Sequence, residues 1–300
     1  AVGVAPNCTP TSGLTWLTGY GWGGYPWHGA TPFTTACSTP SVRQANETLD
    51  QPHGCLIELE SVFFESASVV NASLQGLTLR PDYLTAWQSL LPALTDIVGR
   101  GRVSGFFLGD ELVWNNITWD QLDTVSALVK TAFPDLLVYY NEGFGPLAEG
   151  ININNYKVRY PWVPKAVDVI SLDDYRSVAR ARQVYEEFVY PRLNNSQQRV
   201  WLVPQTYGNP QPPSNVSALD AEILDDAIGY LNWTLSDGNI TGWNAFHLPT
   251  YEPTDYGLEN LTNSLAWYSE LGAQMRACAQ FRVPSQTVGE VLQPVVSGLV

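Results

Sequence analysis

A chain of 300 residues with 45% hydrophobic side chains carries enough apolar material for one sizeable core. Its net charge of −14 excludes nucleic acid and anionic membrane surfaces, both of which are bound through Lys and Arg, and suits a neutral or cationic partner. No apolar run approaches the roughly 20 residues of a membrane span.

Apolar runs rich in β-branched and aromatic residues alternate with helical patterns along the chain. The strand-like runs, in order, are 14–22, 55–61, 103–111, 136–142, 166–175, 199–207 and 240–248. Helical patterns fall at 82–98 (expected to break or kink at Pro92), 119–133, 178–190, 218–235 and 260–277. In 119–133, Leu122, Val125, Leu128 and Val129 make one apolar face, and Thr118 with Gln121 fits a capping box. Near-continuous apolar strands separated by helices imply a parallel sheet covered on both faces. At this length the expected fold is α/β, a single (β/α)8 barrel over 1–280 with a tail at 281–300. An open doubly wound sheet is the alternative. Seven strands are clear, and the irregular eighth is expected near 61–70.

Four cysteines (Cys8, Cys37, Cys55, Cys278) are the even number expected of two disulfides. Three pairings are open, with Cys8–Cys278 and Cys37–Cys55 favoured. Asn-x-Ser/Thr acceptors number nine, at Asn7, Asn46, Asn71, Asn116, Asn194, Asn215, Asn232, Asn239 and Asn260. Chance would supply about 2.5. With an opening "AVGVAPNC" that lacks a signal peptide, the expectation is the mature form of a secreted, extracellular glycoprotein of the eukaryotic secretory pathway, monomeric. The closing "VLQPVVSGLV" reads as a tail rather than the remnant of a lipid-anchor signal.

The strand ends are where chemistry collects. They offer Tyr20 and Trp22, Glu58 and Glu60, Asp110 and Glu111, Tyr140 and Glu142, Asp173 with Asp174 and Tyr175, Gln205 and Tyr207, Trp243 and His247. Strand beginnings instead carry Arg102, Lys165 and Arg199. In a parallel barrel the C-terminal strand ends converge on one rim, where active sites lie. Several carboxyls fringed by Tyr and Trp suit cleavage of a glycosidic bond, which needs one protonated acid and one anion. Crowding helps, because like charges raise the pKa of one member. The aromatic, glycine-rich segment 19–29 would supply a stacking platform for sugar rings.

The run "GFFLGDEL" resembles the barrel glycoside hydrolases. Retaining β-hexosaminidases have a Gly-Asp-Glu at such a strand end, and the resemblance implies an acid role for Glu111 and a substrate-steering role for Asp110. Chitinases end the equivalent strand in a catalytic Glu and carry a later Tyr-Asp-Tyr, which Asp173-Asp174-Tyr175 partly matches. The departures are Leu108 where hexosaminidases have a second Gly, no preceding His, and Phe107 and Gly109 at the positions of the chitinase aspartates.

The expected roles follow. Glu111 is the general acid, Asp110 orients the substrate or tunes Glu111, and Glu142 is the nucleophile or base. If the substrate supplies its own acetamido nucleophile, Glu142 becomes a binding residue. Tyr20, Trp22, Glu60, Tyr140, Asp174, Tyr175, Gln205, Tyr207, Trp243 and His247 are expected to contact a poly- or oligosaccharide. Glu58 and Glu60 are spaced to share one strand face. No cofactor and no metal is expected. A barrel aldolase needs a strand-end lysine, whereas Lys130, Lys157 and Lys165 lie in a helix or ahead of a strand. Gly-x-Ser-x-Gly is absent, the thiols are expected to be paired, and His28, His53 and His247 have no ligand spacing, although carboxylate-bound calcium stays open. The rival reading is a barrel lectin that binds sugars without turnover.

Overall fold

The computed structural model describes residues 16–20, 37–39, 42, 55–67, 76–101, 103–144, 146, 152–153, 156–157, 162–175, 177–208, 215–246 and 256–280. Eight parallel strands form its centre: β1 (Trp16–Tyr20), β2 (Cys37–Thr39), β3 (Cys55–Glu58), β4 (Val103–Phe107), β5 (Leu137–Gly143), β6 (Val169–Asp173), β7 (Arg199–Leu202) and β8 (Ile240–Phe246). Each pairs in parallel with its sequence neighbour from β2 through to β8, and β8 returns to pair with β1. The sheet therefore follows chain order from β2 round to β1, and these two end strands lie in contact.

The eighth strand is Cys37–Thr39, not the stretch near 61–70. That segment instead opens with a short helix α1 (Glu60–Phe63), and Phe64–Ser66 then pairs antiparallel with Leu77–Leu79. The longer helices are α2 (Tyr83–Gly99), α3 (Trp119–Ala132), α4 (Val178–Val184), α5 (Val216–Ser236) and α6 (Thr262–Gln280). α2 runs unbroken through Pro92. α3 starts on the full capping box, in which Thr118 Oγ1 accepts from Gln121 N and Gln121 Oε1 accepts from Thr118 N. Each such cap satisfies amides that a helix start leaves without partners. No helix among the described residues is long and apolar enough to cross a membrane.

Two cores follow from the alternation of side chains along the strands. Phe106, Leu108, Val138, Tyr140, Ile170, Leu172, Val200, Leu202, Trp243 and Ala245 pack outward against the helices. Leu56, Phe107, Tyr139, Val169 and Trp201 fill the sheet's concave side. There Tyr139 stacks on Phe107 with centroids 5.0 Å apart and meets Trp201 at 4.6 Å. This aromatic plug is the floor on which the polar residues of the next layer stand.

Candidate active site

Above the plug, the same strand faces turn polar. Asn141 of β5 lies in register with Ser171 of β6, two residues beyond Tyr139 and Val169. Asn244 on β8 donates from Nδ2 to the Tyr139 hydroxyl at 2.9 Å, and that hydroxyl lies 2.7 Å from Ser171 Oγ. Ser171 gives its proton to Asn141 Oδ1, so Tyr139 must be the donor to Ser171. Asn141 Nδ2 then donates to Asp110 Oδ1 at 2.7 Å. Every link donates in the same direction, and the chain ends on a carboxylate.

Asp173, at the tip of β6, belongs to the same group: Asp110 and Glu111 push its carboxyl up electrostatically, while Asn141 and Tyr175 act to lower it. The Asp110 backbone N–H donates to Glu60 Oε2 at 3.1 Å, and Asp110 also bears electrostatically on Glu58, Glu111 and Asp173. Asp110 is the hub of the group. Glu58 and Glu60 do not share a strand face: Glu58 ends β3 and Glu60 starts α1, yet both press on Asp110. Among the described residues no three acidic, His or Cys side chains are placed to hold a metal ion.

The acid pair rides on a tight loop after β4. Leu108 N donates to Tyr139 O, Asn141 N to Gly109 O, and Glu111 N to Asn141 O, so the loop extends the sheet along β5. Glu111 itself adopts φ 47°, a left-handed conformation uncommon for a side chain of its size and characteristic of functional turns. Its Oε1 lies against Gly143, where a Cβ would stand 3.1 Å from it and 3.0 Å from Trp114 Cε3. Any larger residue at 143 would push the acid away. Trp114, 40% exposed, therefore presents its ring beside the Glu111 carboxyl.

Glu142 faces the opposite way, toward the helices, and is fully buried. Its Oε1 accepts from Trp114 N at 3.1 Å and Gly143 N at 2.9 Å, and its Oε2 from Val113 N at 3.0 Å. That geometry makes it the clamp of the acid loop rather than the expected nucleophile or base, because both oxygens are committed to backbone amides. Asn141 holds the corresponding place on the concave side.

The expected sugar contacts divide in the same manner. Tyr175 stacks on Phe246 at 5.6 Å, and Tyr207 meets both edge-on at 5.7 and 5.4 Å. Tyr175 also hydrogen-bonds Asp173, which places this half-buried aromatic trio beside the carboxyls. Gln205 lies next to it, bridged to Phe246 and donating to Tyr207 O at 2.8 Å. Tyr140 and Trp243, in contrast, are fully buried on the helix side, where Trp243 Nε1 donates to Thr234 Oγ1 and its rings stack on Trp267. Asp174 is buried near Tyr230 of α5, away from the concave side. Trp22 and His247, like Cys8, lie outside the described residues, and Tyr20 and Cys278 are described for backbone alone.

Sequence reasoning named Asp173 at its strand end without giving it a role, and passed over Asn141, Ser171, Asn244, Phe246 and Trp114 as site residues. A signal existed for three of them: Asn141, Ser171 and Asn244 are small polar residues inside otherwise apolar strands, and a buried polar group needs partners there.

Burial, with the charges of Glu60 and Asp110, raises Glu58 to about 7. Burial and Asp110 raise Glu111 to about 6. Burial lifts Glu142 to about 8 against the pull of its three amide donors. Asp173 is raised to about 8 by burial and by Asp110, against its bonds to Asn141 and Tyr175. In an unfolded chain these groups ionise near 4.5 (Glu) and 3.8 (Asp). Between those values and the raised ones the native state binds more protons than the unfolded state, so stability falls as pH rises. The melting temperature, followed by calorimetry, is expected to be higher at about pH 5 than at about pH 8. An increase across that interval would show that these carboxyls are ionised in the native state.

No protein-family model matches the chain, and no curated protein resembles it in sequence. Solved structures similar to it include xylanase XynB of Paenibacillus barcinonensis, complexed with a conduramine derivative, at 14% identity over 78% of this chain and 88% of that one, with a TM-score of 0.47. Native xylanase 10B of Thermotoga maritima is 12% identical over 87% and 98%, with a TM-score of 0.44. A GH18 chitinase of Pseudoalteromonas aurantia is 14% identical over 89% and 96%, with a TM-score of 0.41. Likeness at this level bears on neither fold nor chemistry, which rest on the chain's own topology and contacts.

Proposed function

We propose that the protein is a glycoside hydrolase whose general acid is Glu111. The observation that carries this is the gathering of Asp110, held by the Asn141 amide, with Asp173 and with a Glu whose carboxyl is held up to about 6. Crowded carboxyls do not readily ionise together. Burial and the charge of Asp110 hold Asp173 up to about 8 and Glu111 up to about 6, so both keep their protons in mildly acidic solution beside that charge. That supplies what glycosidic cleavage requires: an acid for the leaving oxygen and an anion facing the anomeric carbon. Tyr175, Tyr207, Phe246 and Trp114 offer the ring faces against which sugars stack.

The strand order supports closure into a (β/α)8 barrel at the β1–β2 seam, which sets the carboxyls on the C-terminal rim. Secretion as a disulfide-bonded, monomeric glycoprotein belongs to the same reading. Cys37 stands opposite Cys55 in the β2–β3 register, and no free thiol occurs among the described residues. Asn215, Asn232, Asn239 and Asn260 are exposed and Asn116 is half-buried, whereas Asn194 is corrected as an acceptor because its Nδ2 is closed off from solvent, and Asn7, Asn46 and Asn71 lie outside the described residues.

The test is a screen of plant, fungal and animal glycans, with pH profiles for whichever is cleaved. The free-enzyme kcat/KM is expected to fall on the alkaline side with an apparent pKa of about 6, where Glu111 loses its proton. Asp110→Asn removes a neighbouring negative charge and is expected to move that limb to lower pH. Glycan binding without product at any pH assigns the lectin reading instead.

A further inference from the structure

Strand β6 stays in register with β5 along its whole length, Val169 to Asp173. On its other edge the pairing with β7 covers Val169–Arg199 and Ile170–Val200 and stops there, although the strands run on to Asp173 and Leu202. Beyond that point the end of β7 follows β8 instead. Leu202 is in register with Trp243, Phe246 N donates to Pro204 O, and Thr206 N donates to Phe246 O. The sheet therefore forks toward its C-terminal rim, with Asp110, Glu111 and Asp173 on one side and Gln205, Tyr207 and Phe246 on the other. A tyrosine stands in the fork. Leu172 N donates to Tyr185 Oη at 2.9 Å, and Tyr185 Oη donates to Trp201 O at 2.8 Å. Past the Ile170–Val200 pair, the regular parallel pattern would send the Leu172 N–H straight to Trp201 O. The phenol hydroxyl is inserted into that bond. Two hydrogen bonds meeting at one oxygen set their outer atoms roughly 4.5–5 Å apart, against about 2.9 Å for a direct bond. The ring is fixed in place, because Tyr185 is buried and Trp233 of α5 meets it edge-on at 5.4 Å. It opens the π turn (Tyr185–Val189) that continues α4, and such turns are rare and frequent at functional sites.

We propose that Tyr185 is a positioning residue for sugar binding, whose hydroxyl holds β6 and β7 apart and so sets the distance between the carboxyls and the aromatic wall of Tyr207 and Phe246. This deepens the glycoside-hydrolase reading and rests on it for the sugar that occupies the cleft. Without the hydroxyl, the Leu172 N–H and Trp201 O regain a partner by closing on each other, since buried backbone groups left open are costly. β6 is anchored to β5 along its length, so β7 is the strand that moves, carrying Gln205 and Tyr207 toward Asp173. Tyr175 spans the fork from the end of β6, stacked on Phe246 and edge-on to Tyr207, and has to shift with them. Glu111 is held by β5, through Asn141 O and against Gly143, and keeps its place. The effect of the wedge therefore falls on sugar binding and spares proton transfer.

The test is Tyr185→Phe beside the unaltered protein. In crystal structures of the two, the separation of Leu172 N from Trp201 O is expected to fall from roughly 4.5–5 Å to about 3 Å. Calorimetric titration with short xylo-, cello- and N-acetylchito-oligosaccharides is expected to show affinity at least about fivefold weaker in the variant. On any of these that is cleaved, KM is expected to rise by that factor while kcat stays within about twofold. Should the variant fail to fold, Tyr185→Met, whose flexible chain fills the same space without a hydroxyl, is read in the same way. A gap that stays open, a gap that closes with affinity unchanged, or a loss confined to kcat overturns the proposal. Where the unaltered protein binds these sugars but cleaves none, the hydrolase reading falls and the affinity comparison still decides the role of Tyr185. An unaltered protein that binds none of them removes both.

Discussion

Glutamine in place of Glu111 is expected to lower glycan cleavage by at least about 100-fold, with KM changed little. The substitution keeps the size of the side chain and its place against Gly143 and Trp114. It also keeps the backbone bonds from Glu111 N to Asn141 O and from Asn115 N to Glu111 O, so the turn at φ 47° is no more strained than before. What disappears is the transferable proton, because a carboxamide can hydrogen-bond the leaving oxygen but cannot protonate it. The deficit is therefore expected to shrink for aryl glycosides whose leaving groups are acidic enough to depart unprotonated. A uniform loss across good and poor leaving groups, or a loss confined to KM, would assign Glu111 to substrate binding.

Alanine at position 142 is expected to be the most destabilising single change at the site. It leaves the amides of Val113, Trp114 and Gly143 without their acceptor, and an orphaned buried donor costs about 1–3 kcal/mol. Relief of the burial that raises Glu142 to about 8 offsets part of that cost. A net loss of roughly 3 kcal/mol corresponds to a fall in melting temperature of about 5 °C in a chain of 300 residues. Activity should drop as well, because the released segment carries Glu111. Glu142→Gln should fall between, since its amide oxygen can still serve Trp114 and Gly143 while its NH2 confronts the Val113 donor. Azide tests the role directly. A clamp cannot be replaced by a small anion, so Glu142→Ala is expected to stay inactive in azide. Recovery of activity with a glycosyl azide product would instead make Glu142 the nucleophile.

The parallel β architecture was legible because its strands are apolar on both faces and punctuated by helices with readable caps, such as Thr118 with Gln121. That same two-sided burial hid the facing of each side chain. Where both faces are apolar, alternation carries no phase, and a shift of one residue exchanges the two sides. Sequence reading stopped on Tyr140, Glu142, Asp174 and Trp243, each one residue from Tyr139, Asn141, Asp173 and Asn244, which face the concave side. Cys37–Thr39 escaped notice because three residues are too few to show any period.

The back-to-back arrangement on β5 has a consequence for protein engineering. Asn141 grips Asp110 from the front of the strand, while Glu142 secures the turn that bears Asp110 and Glu111 from behind. The two grips are consecutive in the chain and cannot be separated. Grafting residues 108–116 alone into another scaffold would transplant the acids without their mounting. The smallest portable unit is that turn together with strand 137–143, and one residue inserted into the strand would unseat both holds at once.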